Sequence, residues 1–323
     1  MTSSKQLLPG TVPLVPVIVG PTCSGKTIVA LQLAELLGAE IISADSRQIY
    51  KYLDIGTAKP TPEQRSAVRH HFVDELTPDQ PFSAGEFGIN GSTVVEDIVR
   101  RKKTPLIVGG SGLYIRSLID GLFEGPGADP ELREILERKL KAGRIDDLIE
   151  QLWKVDPESA AKADPTKPRR IIRALEVYHL TGKPLSQHHQ EGRPDIGFTA
   201  FMVGLNWERS ELYRRIDSRC DEMLQAGLLG EIDHLEHLGY DRRLNALNTV
   251  GYAEGFAYRA GEVSYAEMLR LFKQNSRRYA KRQLSWFRPD RRIVWIVMEK
   301  GREPRSVVQE ITEKFEAAVV GGN

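Results

Sequence analysis

Eight residues near the start of the chain have the types and spacing of a phosphate-binding loop. Gly20 to Thr27, GPTCSGKT, match the pattern G-x-x-x-x-G-K-[ST]. A β-branched run from Val15 to Val19 precedes them and an amphipathic segment from Ile28 to Leu37 follows, so the loop joins a predicted strand to a predicted helix. Its backbone N–H groups, the start of the helix and Lys26 attract an anion, and the Thr27 hydroxyl is placed to ligate Mg²⁺. The pattern predicts a site for a phosphate or a diphosphate.

The sequence lacks three features that nucleoside triphosphatases combine with such a loop. The third predicted strand, Pro105 to Val108, continues into two glycines and does not end in the aspartate that holds Mg²⁺ in those enzymes. No N-K-x-D segment is present to bind guanine, and no D-x-x-G segment is present to sense a γ-phosphate. Without these features, a nucleoside triphosphate is a less favoured ligand of the loop.

An acidic residue follows the second predicted strand, at the place where parallel sheets bind their ligands. This strand, Glu40 to Ser43, leads into SADSRQIY, and Asp45 lies just beyond its carboxyl end. Two interpretations stay open. Asp45 either caps a helix or belongs to the Mg²⁺ shell, or it is a general base that takes a proton from an acceptor beside the phosphate.

The composition is that of a globular protein with one large or two modest domains. The chain has 323 residues, of which 41% are hydrophobic and 28% are charged. No apolar run is long enough to cross a bilayer, and the opening MTSSKQLLPG lacks the apolar core of a secretion signal. The two cysteines, Cys23 and Cys220, do not form a disulfide framework. We therefore expect a cytoplasmic protein without a membrane segment.

Positive charge is concentrated in two segments, although the formal net charge is only +1. Basic residues recur from Arg270 to Arg292 with Asp290 as the only acid, and KPRRIIR occupies Lys167 to Arg173. Such stretches are often solvated surface. Their density and the lack of compensating acids favour contacts with nucleic-acid phosphates.

The helix predicted from Tyr265 to Phe287 has two different faces. One face recurs every three or four residues and is assigned to the core rather than to base stacking: Leu269, Phe272, Ser276, Tyr279, Gln283 and Trp286. The basic stripe lies elsewhere on the helix: Arg277, Lys281 and Arg288, with Arg278 and Arg282 beside it.

Predicted strands and helices alternate in the first part of the chain and again near its end. Ser83 and Glu86 have the spacing of a capping box that opens a helix towards Arg101. A strand is also predicted from Phe198 to Leu205, followed by a helical stretch from Glu208 to Leu238. The alternation predicts an α/β fold, a P-loop NTPase-like parallel sheet flanked by helices. Its core comprises residues 1–125 and 198–323, and an all-helical domain is inserted at 126–197, after the glycine- and proline-rich GLFEGPGADP.

Six ordered blocks of sequence carry a resemblance to a known family. They are GPTCSGKT, ISADSRQIYKYLDIGTAKP, HHFVDELTPDQPFSAGEF, VGGSGLYIRSLIDGL, PRRIIRALEVYHLTGKPLS and AKRQLSWFR. Together they closely resemble the bacterial tRNA dimethylallyltransferases over nearly the whole chain. The resemblance implies transfer of a dimethylallyl group from dimethylallyl diphosphate to the exocyclic amine of an adenosine that is 3′-adjacent to the tRNA anticodon. It implies Mg²⁺ as cofactor and the tRNA anticodon stem-loop as partner, and we expect a monomer.

The resemblance also implies which residues act on the diphosphate and in catalysis. The diphosphate would be held by the loop and one arginine: Gly20, Pro21, Thr22, Cys23, Ser24, Gly25, Lys26, Thr27 and Arg219. Arg215 lies four residues before Arg219, on the same helix face, but matches the family position less well. The catalytic residues would be the base and its neighbours: Asp45, Lys26, Thr27, Arg219 and Ser111. Ser111 stands where the family usually has threonine, and Cys23 replaces a usual alanine, as a small hydrophobe or as a reactive thiol.

A third set of residues is implied to contact the tRNA. Asp45, Ser46, Arg47 and Gln48 would surround the adenine, with Gln48 reading its edge. The remaining implied contacts lie in later blocks of the chain: Ser111, Arg133, Arg169, Arg170, Ile171, Ile172, Arg173, Asn248, Lys281, Arg282, Gln283 and Arg288.

Two other functions compete with this interpretation. A small-molecule kinase would use the same loop for ATP, but it leaves the basic helix unexplained. An RNA-binding regulator with a vestigial loop would bind tRNA without making a product.

Overall fold

The computed structural model describes residues 12–121, 129–190 and 196–321. Within these ranges the chain divides into two compact units, one formed by residues 12–119 and 196–321, the other by 120–121 and 129–190. The predicted start of the insertion at residue 126 and the N-terminal MTSSKQLLPG lie outside the described residues. None of the helices in the described part of the chain combines the length and apolar character that crossing a bilayer requires.

The larger unit is built on a six-stranded sheet in which every pairing is parallel, with strand order β3-β2-β4-β1-β5-β6. Its strands, in chain order, are β1 Leu14–Val19, β2 Ala39–Ala44, β3 His70–His71, β4 Thr104–Gly109, β5 Thr199–Trp207 and β6 Val294–Met298. The central strands are nearly continuous runs of buried side chains, as expected for a sheet that is covered on both faces. The predicted parallel sheet is confirmed.

Fourteen helices accompany the sheet in the described residues. Those of the sheet-containing unit are α1 Lys26–Leu37, α2 Pro62–Ala67, α3 Ala84–Arg100, α4 Gly112–Asp120, α10 Arg209–Gln225, α11 Leu228–His237, α12 Tyr252–Arg259, α13 Tyr265–Phe287 and α14 Pro304–Gly321. Those of the second unit are α5 Pro130–Lys141, α6 Ile145–Val155, α7 Pro157–Ala161, α8 Pro168–Thr181 and α9 Leu185–Gln190.

Several helix ends follow from single residues. The Ser83 hydroxyl accepts from the Glu86 N–H at 3.1 Å while the Glu86 carboxylate accepts from the Ser83 N–H at 2.7 Å, which confirms the predicted capping box of α3. The predicted helical stretch from Glu208 to Leu238 consists of two helices. Gly227 has a left-handed φ of 102° and separates α10 from α11.

The hydrogen-bond register of the sheet brings three chain segments to one edge. Val19 and Ala44, the last residues of β1 and β2, both pair with Gly109, the last residue of β4. The segments that follow these strands therefore begin at the same level, at the carboxyl edge of the sheet. They are the phosphate loop, the Asp45 turn and the Gly110–Ser111 turn, as expected for the ligand-binding edge of a parallel sheet.

A buried carboxylate anchors β2 to its neighbours. Glu40 is 2% exposed, and the Arg101 guanidinium donates to its two oxygens at 2.5 and 2.8 Å. His71 Nε2 lies 2.9 Å and Lys103 Nζ 3.0 Å from the same carboxylate. The hydrogen bonds from Arg101 hold the pKa of Glu40 well below its ordinary range, against the opposing effect of burial.

We expect Glu40→Gln to lower the free energy of unfolding at pH 7 by about 2 kcal/mol, because Arg101 loses the charge and one of the two acceptor oxygens of its buried partner. The folded pKa of Glu40 lies below the unfolded value, so its contribution is complete above the unfolded pKa and is lost as pH falls towards the folded one. Urea unfolding at pH 7 and at pH 3.5 should show the difference from wild type shrinking in acid. Glu35→Gln, at an exposed position on α1, is the matched control. Equal destabilisation by both variants would contradict this prediction.

Candidate active site

The phosphate loop turns sharply and presents a helix start without a capping side chain. Cys23 and Gly25 have left-handed φ values of 62° and 94°. Gly25 precedes α1, and no side chain accepts from the first N–H groups of that helix. The buried Ser24 hydroxyl also lacks a hydrogen-bond partner in the described residues. These free donors suit an anion.

Lys26 is half-buried in the loop, where its ammonium donates to the carbonyls of Gly20 at 2.9 Å and Pro21 at 2.7 Å. Burial lowers the pKa of Lys26 to about 8, while the Asp45 carboxylate acts in the opposite direction. An anion in the loop would stabilise the charged form of this lysine.

Three side chains from distant parts of the chain hold the loop in place. The indole of Trp207 donates to the Ser24 carbonyl at 3.0 Å, and Arg215 Nε donates to the Cys23 carbonyl at 3.0 Å. The Arg215 guanidinium lies over the Trp207 ring, 4.3 Å from its centroid. The third, Gln283 on α13, accepts from the Thr22 N–H at 2.8 Å. The loop conformation thus depends on residues far away in sequence.

Gln283 links two of the segments at the sheet edge. Its amide accepts from the Thr22 N–H and donates to the Gly110 carbonyl at 3.0 Å. A Cβ at Gly110 would stand 2.2 Å from the Gln283 amide nitrogen, so only glycine permits this approach. Gln283 is 6% exposed and its polar atoms are used within the protein. Each of its two amide atoms can make a further hydrogen bond, so its predicted contact with tRNA stays a prediction.

A cavity of about 650 Å³ opens beside the loop. Its walls combine the phosphate loop, the Asp45–Gln48 turn, the Gly56–Lys59 segment and the facing sides of α10 and α13. Arg215 and Arg219 line it from α10, one helical turn apart. The Arg219 side chain is 46% exposed and lies 3.9 Å from Glu222, so it is only loosely paired. Both arginines bring positive charge towards the loop.

Asp45 begins a tight turn at the end of β2. Its Oδ1 accepts from the Arg47 N–H at 2.9 Å and from the Gln48 N–H at 3.4 Å, as in an Asx turn. Its Oδ2 has no hydrogen-bond partner in the described part of the chain. The carboxylate thus makes local backbone hydrogen bonds through one oxygen, and Asp45 lines the cavity. The capping interpretation and the base interpretation are compatible.

The turns after β2 and β4 are joined directly. The Ser111 hydroxyl accepts from the Ser46 N–H at 3.1 Å.

The Gln48 side chain makes several hydrogen bonds within the protein. Its amide donates to the carbonyls of Thr57 and Ala58 at 3.2 and 3.3 Å, and its oxygen accepts from Ser43 at 3.1 Å. The Gln48 amide is thus held by the protein while the residue lines the cavity, and its reading of a base edge stays a prediction.

The two interpretations of Cys23 differ in thiol chemistry. Burial raises the pKa of the Cys23 thiol, although Arg219, Lys26 and Arg215 oppose this effect. A raised pKa keeps the thiol protonated at neutral pH. The small-hydrophobe interpretation therefore fits better than the reactive one.

The donor set at the loop fits Mg²⁺ bound partly by substrate. No cluster of three histidine, cysteine or acidic residues that could enclose a metal occurs in the described ranges. Mg²⁺ usually takes one or two protein oxygens and completes its shell with phosphates and water. The exposed Thr27 hydroxyl at the start of α1 offers one such oxygen beside the anion site.

Helix α13 differs from its predicted faces. Met268, Phe272, Ala280 and Phe287 are among its buried side chains, whereas Trp286, predicted in the core, is 40% exposed. The predicted lack of compensating acids around the basic segment is also wrong in part, because acidic residues of α10 form ion pairs with two of its basic residues. Arg277 lies 2.5 Å from Asp217, and Lys273 lies 2.7 Å from Asp221.

Other basic residues of this segment stay exposed. Lys281 and Arg288 have no ion pair among the described residues, and the Arg282 guanidinium lies over the Tyr279 ring, 5.6 Å from its centroid. Asn248, in the loop before α12, is exposed as well. These residues stay candidates for contacts with RNA.

The arginines of the second unit that are predicted to contact tRNA lie in two kinds of environment, two of them exposed and two paired with a buried carboxylate. Arg169 and Arg170 at the start of α8 are exposed. Arg133 and Arg173 both pair with the fully buried Glu176, at 2.8 and 3.0 Å. Ile171 and Ile172, which are also predicted to contact tRNA, have little accessible surface. These side chains are 1% and 4% exposed because they belong to the apolar core of this unit, with Leu136 and Leu148.

Sequence reasoning missed some residues that line the cavity. Tyr279 was assigned to the core, yet it lines the cavity one helical turn before Gln283. The Gly56–Lys59 segment and Thr249 line it too. The spacing of Tyr279 from Gln283 was a signal, but periodicity alone does not separate a core face from a cavity face.

The parallel sheet, the phosphate loop and the cationic cavity define a P-loop α/β protein that acts on a phosphorylated or diphosphorylated substrate. The family model described as IPP transferase matches residues 48–290. A "tRNA dimethylallyltransferase 2" of Geotalea uraniireducens is 45% identical over 281 residues, covering 87% of this chain and 91% of the relative. The chain therefore belongs to the tRNA dimethylallyltransferase family and is a transferase.

Solved structures agree with this assignment. The full-length tRNA isopentenylpyrophosphate transferase of Bacillus halodurans is 36% identical, with a TM-score of 0.70, covering 97% of this chain and 100% of its own. A eukaryotic dimethylallyltransferase acting on tRNA is 26% identical with a TM-score of 0.82, covering 96% of this chain and 80% of its own.

We expect Gln283→Leu to weaken the binding of diphosphate about tenfold, because leaving the buried Thr22 N–H and Gly110 carbonyl without partners costs about 1–3 kcal/mol and releases the loop. Isothermal titration with inorganic diphosphate and Mg²⁺ measures the change. Gln309→Leu, at an exposed position on α14, should bind like wild type. Unchanged affinity in a folded Gln283→Leu variant would show that the bridge does not support the anion site.

Proposed function

We propose that this protein transfers a dimethylallyl group from dimethylallyl diphosphate to the N6 amine of the adenosine 3′-adjacent to the anticodon, in tRNAs that read codons beginning with U. The products are N6-dimethylallyladenosine in tRNA and diphosphate. One observation carries the proposal: the anion loop and the Asp45 carboxylate line a single cavity, at the ends of two strands that both pair with β4. A leaving diphosphate and a nucleophile that must lose a proton need these two groups side by side.

The loop side of the cavity suits the leaving group. As the bond between the allylic carbon and the diphosphate oxygen breaks, negative charge accumulates on that oxygen. The N–H groups at the start of α1, Lys26 and the two arginines of α10 are positioned to stabilise this charge. Mg²⁺, held by Thr27 and diphosphate oxygens, would add further neutralisation when bound. The Arg215 side chain already donates to a backbone carbonyl of the loop. Arg219 is only loosely paired and is therefore freer to contact the diphosphate.

The Asp45 side of the cavity suits the nucleophile. The adenine amine is weakly nucleophilic because its lone pair is delocalised into the ring. When the new bond between N6 and the allylic carbon forms, one N6 proton must leave, and Asp45 Oδ2 is available to accept it. Such general-base assistance typically contributes about 10²–10⁴-fold in rate. The adenosine must leave its stack to reach this pocket.

The basic surfaces support a role in holding the anticodon stem-loop. Lys281, Arg282 and Arg288 continue the helix whose Gln283 and Tyr279 border the cavity. In the second unit, Arg169 and Arg170 offer further exposed positive charge. We propose phosphate contacts for these side chains, in a protein that acts in the cytoplasm as a monomer, since one chain supplies every cavity wall described above.

The kinase alternative is not favoured. The relatives are tRNA dimethylallyltransferases, and β4 leads into Gly110 and Ser111 without an aspartate to hold a nucleotide's Mg²⁺. A non-catalytic RNA-binding protein would have no need for a carboxylate beside an anion loop.

A product assay tests the proposal directly. The protein is incubated with Mg²⁺, dimethylallyl diphosphate and unmodified tRNA that reads codons beginning with U, and digested nucleosides are analysed by mass spectrometry. We expect prenylated adenosine at one position. A matched tRNA with guanosine at that position is the control. Absence of product together with tight ATP binding would overturn the proposal.

We expect Asp45→Asn to lower the single-turnover rate about 10²–10⁴-fold, because the amide keeps the shape of the turn but does not accept the N6 proton. The dissociation constant for tRNA should stay within about twofold, since phosphate contacts dominate affinity. Rapid-quench kinetics and filter binding separate the two effects. A variant with the wild-type rate would exclude Asp45 as the base.

We expect Lys281→Ala to weaken tRNA binding and to reduce the slope of log affinity against log salt by about one, because one phosphate contact is lost. Arg270→Ala is the matched control on the same helix, since Glu267 already neutralises Arg270 at 2.6 Å. Fluorescence anisotropy between 50 and 300 mM salt, roughly the range in which such slopes are read, measures both. Equal slopes for both variants would assign Lys281 to ordinary surface.

A further inference from the structure

A carboxylate outside the cavity accepts four hydrogen bonds from one loop and one tyrosine. Glu231 lies on α11 and is half-buried. Its Oε2 accepts from the N–H groups of Asp54 at 2.9 Å and Ile55 at 2.7 Å. Its Oε1 accepts from the Gly56 N–H at 3.1 Å and from the Tyr252 hydroxyl at 2.6 Å. Three successive backbone donors therefore converge on one side chain, an arrangement that binds anions elsewhere in proteins.

Tyr252 and the Asp54–Gly56 loop are closely packed where they meet Glu231. Tyr252 is fully buried, and burial together with the nearby Glu231 charge raises the pKa of its phenol, so it remains a donor. A Cβ at Gly56 would stand 2.5 Å from the Tyr252 ring, so glycine alone lets the loop approach. The loop has little freedom to move while Glu231 holds it.

The same loop continues into the wall of the active-site cavity. Gly56, Thr57, Ala58 and Lys59 line the cavity, and Ala58 has a left-handed φ of 51°. Such a conformation is unfavourable for alanine and needs support from its surroundings. Glu231 supplies that support two residues earlier in the chain.

A short series of hydrogen bonds leads from this wall to the base. The carbonyls of Thr57 and Ala58 accept from the Gln48 amide, and the Gln48 N–H donates to Asp45 Oδ1 at 3.4 Å. Moving the loop would therefore release the Gln48 side chain and loosen the turn that aims Asp45. Among the described residues, no hydrogen bond joins this series to the phosphate loop, which Trp207, Arg215 and Gln283 hold separately.

We propose that Glu231 is a positioning residue for the transfer reaction: by filling a nest of backbone N–H groups, it sets the cavity wall and, through Gln48, the orientation of the Asp45 carboxylate. The inference rests on the proposed function, because it assigns Asp45 the role of the base. A purely structural glutamate would alter the stability of the protein and leave the rate of the folded enzyme unchanged.

Three variants test the proposal. Glu231→Gln keeps the size of the side chain but replaces one acceptor oxygen with a donor. Glu231→Ala empties the nest, and Tyr252→Phe removes one of the four donors. Glu236→Ala, at an exposed position on the same helix, is the matched control. Circular dichroism and thermal unfolding fix a temperature at which every variant is fully folded, and rates are measured there.

We expect Glu231→Gln and Glu231→Ala to lower the single-turnover rate about 10–100-fold, since displacement of a reacting group by about 1 Å can cost that much. Tyr252→Phe should lower it less, and Glu236→Ala should match wild type. The affinity for dimethylallyl diphosphate should stay within about twofold, because the phosphate loop is held independently. Acetate should partly restore the rate of Glu231→Ala by entering the vacated nest, whereas chloride at equal ionic strength should not.

The outcomes separate this inference from the proposed function. Wild-type protein that makes no prenylated adenosine overturns the function. Active wild type with folded Glu231 variants at the wild-type rate overturns the inference alone. A rate loss accompanied by an equal loss of diphosphate affinity, or without rescue by acetate, assigns Glu231 to general stability and also overturns it.

Discussion

The parallel register of three strands is the constraint on which the rest of the site depends. Because Val19, Ala44 and Gly109 end at one level, the loop for the anion, the turn of the base and the turn of Ser111 begin side by side. A shift of one residue in any pairing would turn each of these segments away. The nearly complete burial of the central strands makes such a shift costly.

The catalytic segments are themselves irregular and are held by side chains from elsewhere in the chain. The phosphate loop has left-handed residues and free N–H groups, and it is supported by Trp207, Arg215 and Gln283. The Asp45 turn is supported by Ser111 and by the segment that Glu231 holds. Strained backbone of this kind persists only where its surroundings determine it. The site therefore consists of two separately supported halves, one for the leaving diphosphate and one for the base.

Acidic residues within the protein neutralise some of its basic side chains and leave others exposed. Acids of α10 neutralise part of the basic face of α13, which leaves Lys281 and Arg288 without ion pairs in the described residues. In the second unit, Arg133 and Arg173 both pair with one oxygen of the fully buried Glu176 carboxylate, while Arg169 and Arg170 stay at the surface. Removing the partners of a buried carboxylate is costly, so Arg133 and Arg173 stabilise this unit through Glu176.

The sequence alone determined the local and periodic features: the phosphate loop between strand and helix, the capping box at Ser83, the parallel sheet and the family. Each depends on neighbours in the chain or on motifs of fixed spacing. Only the tertiary structure decided that Ile171 and Ile172 are core, that Gln283 bridges two loops, that Asp217 and Asp221 neutralise α13, and that Tyr279 and Glu231 belong to the surroundings of the site. These roles depend on partners far away in sequence, and hydrophobic periodicity does not reveal which partner a face will meet.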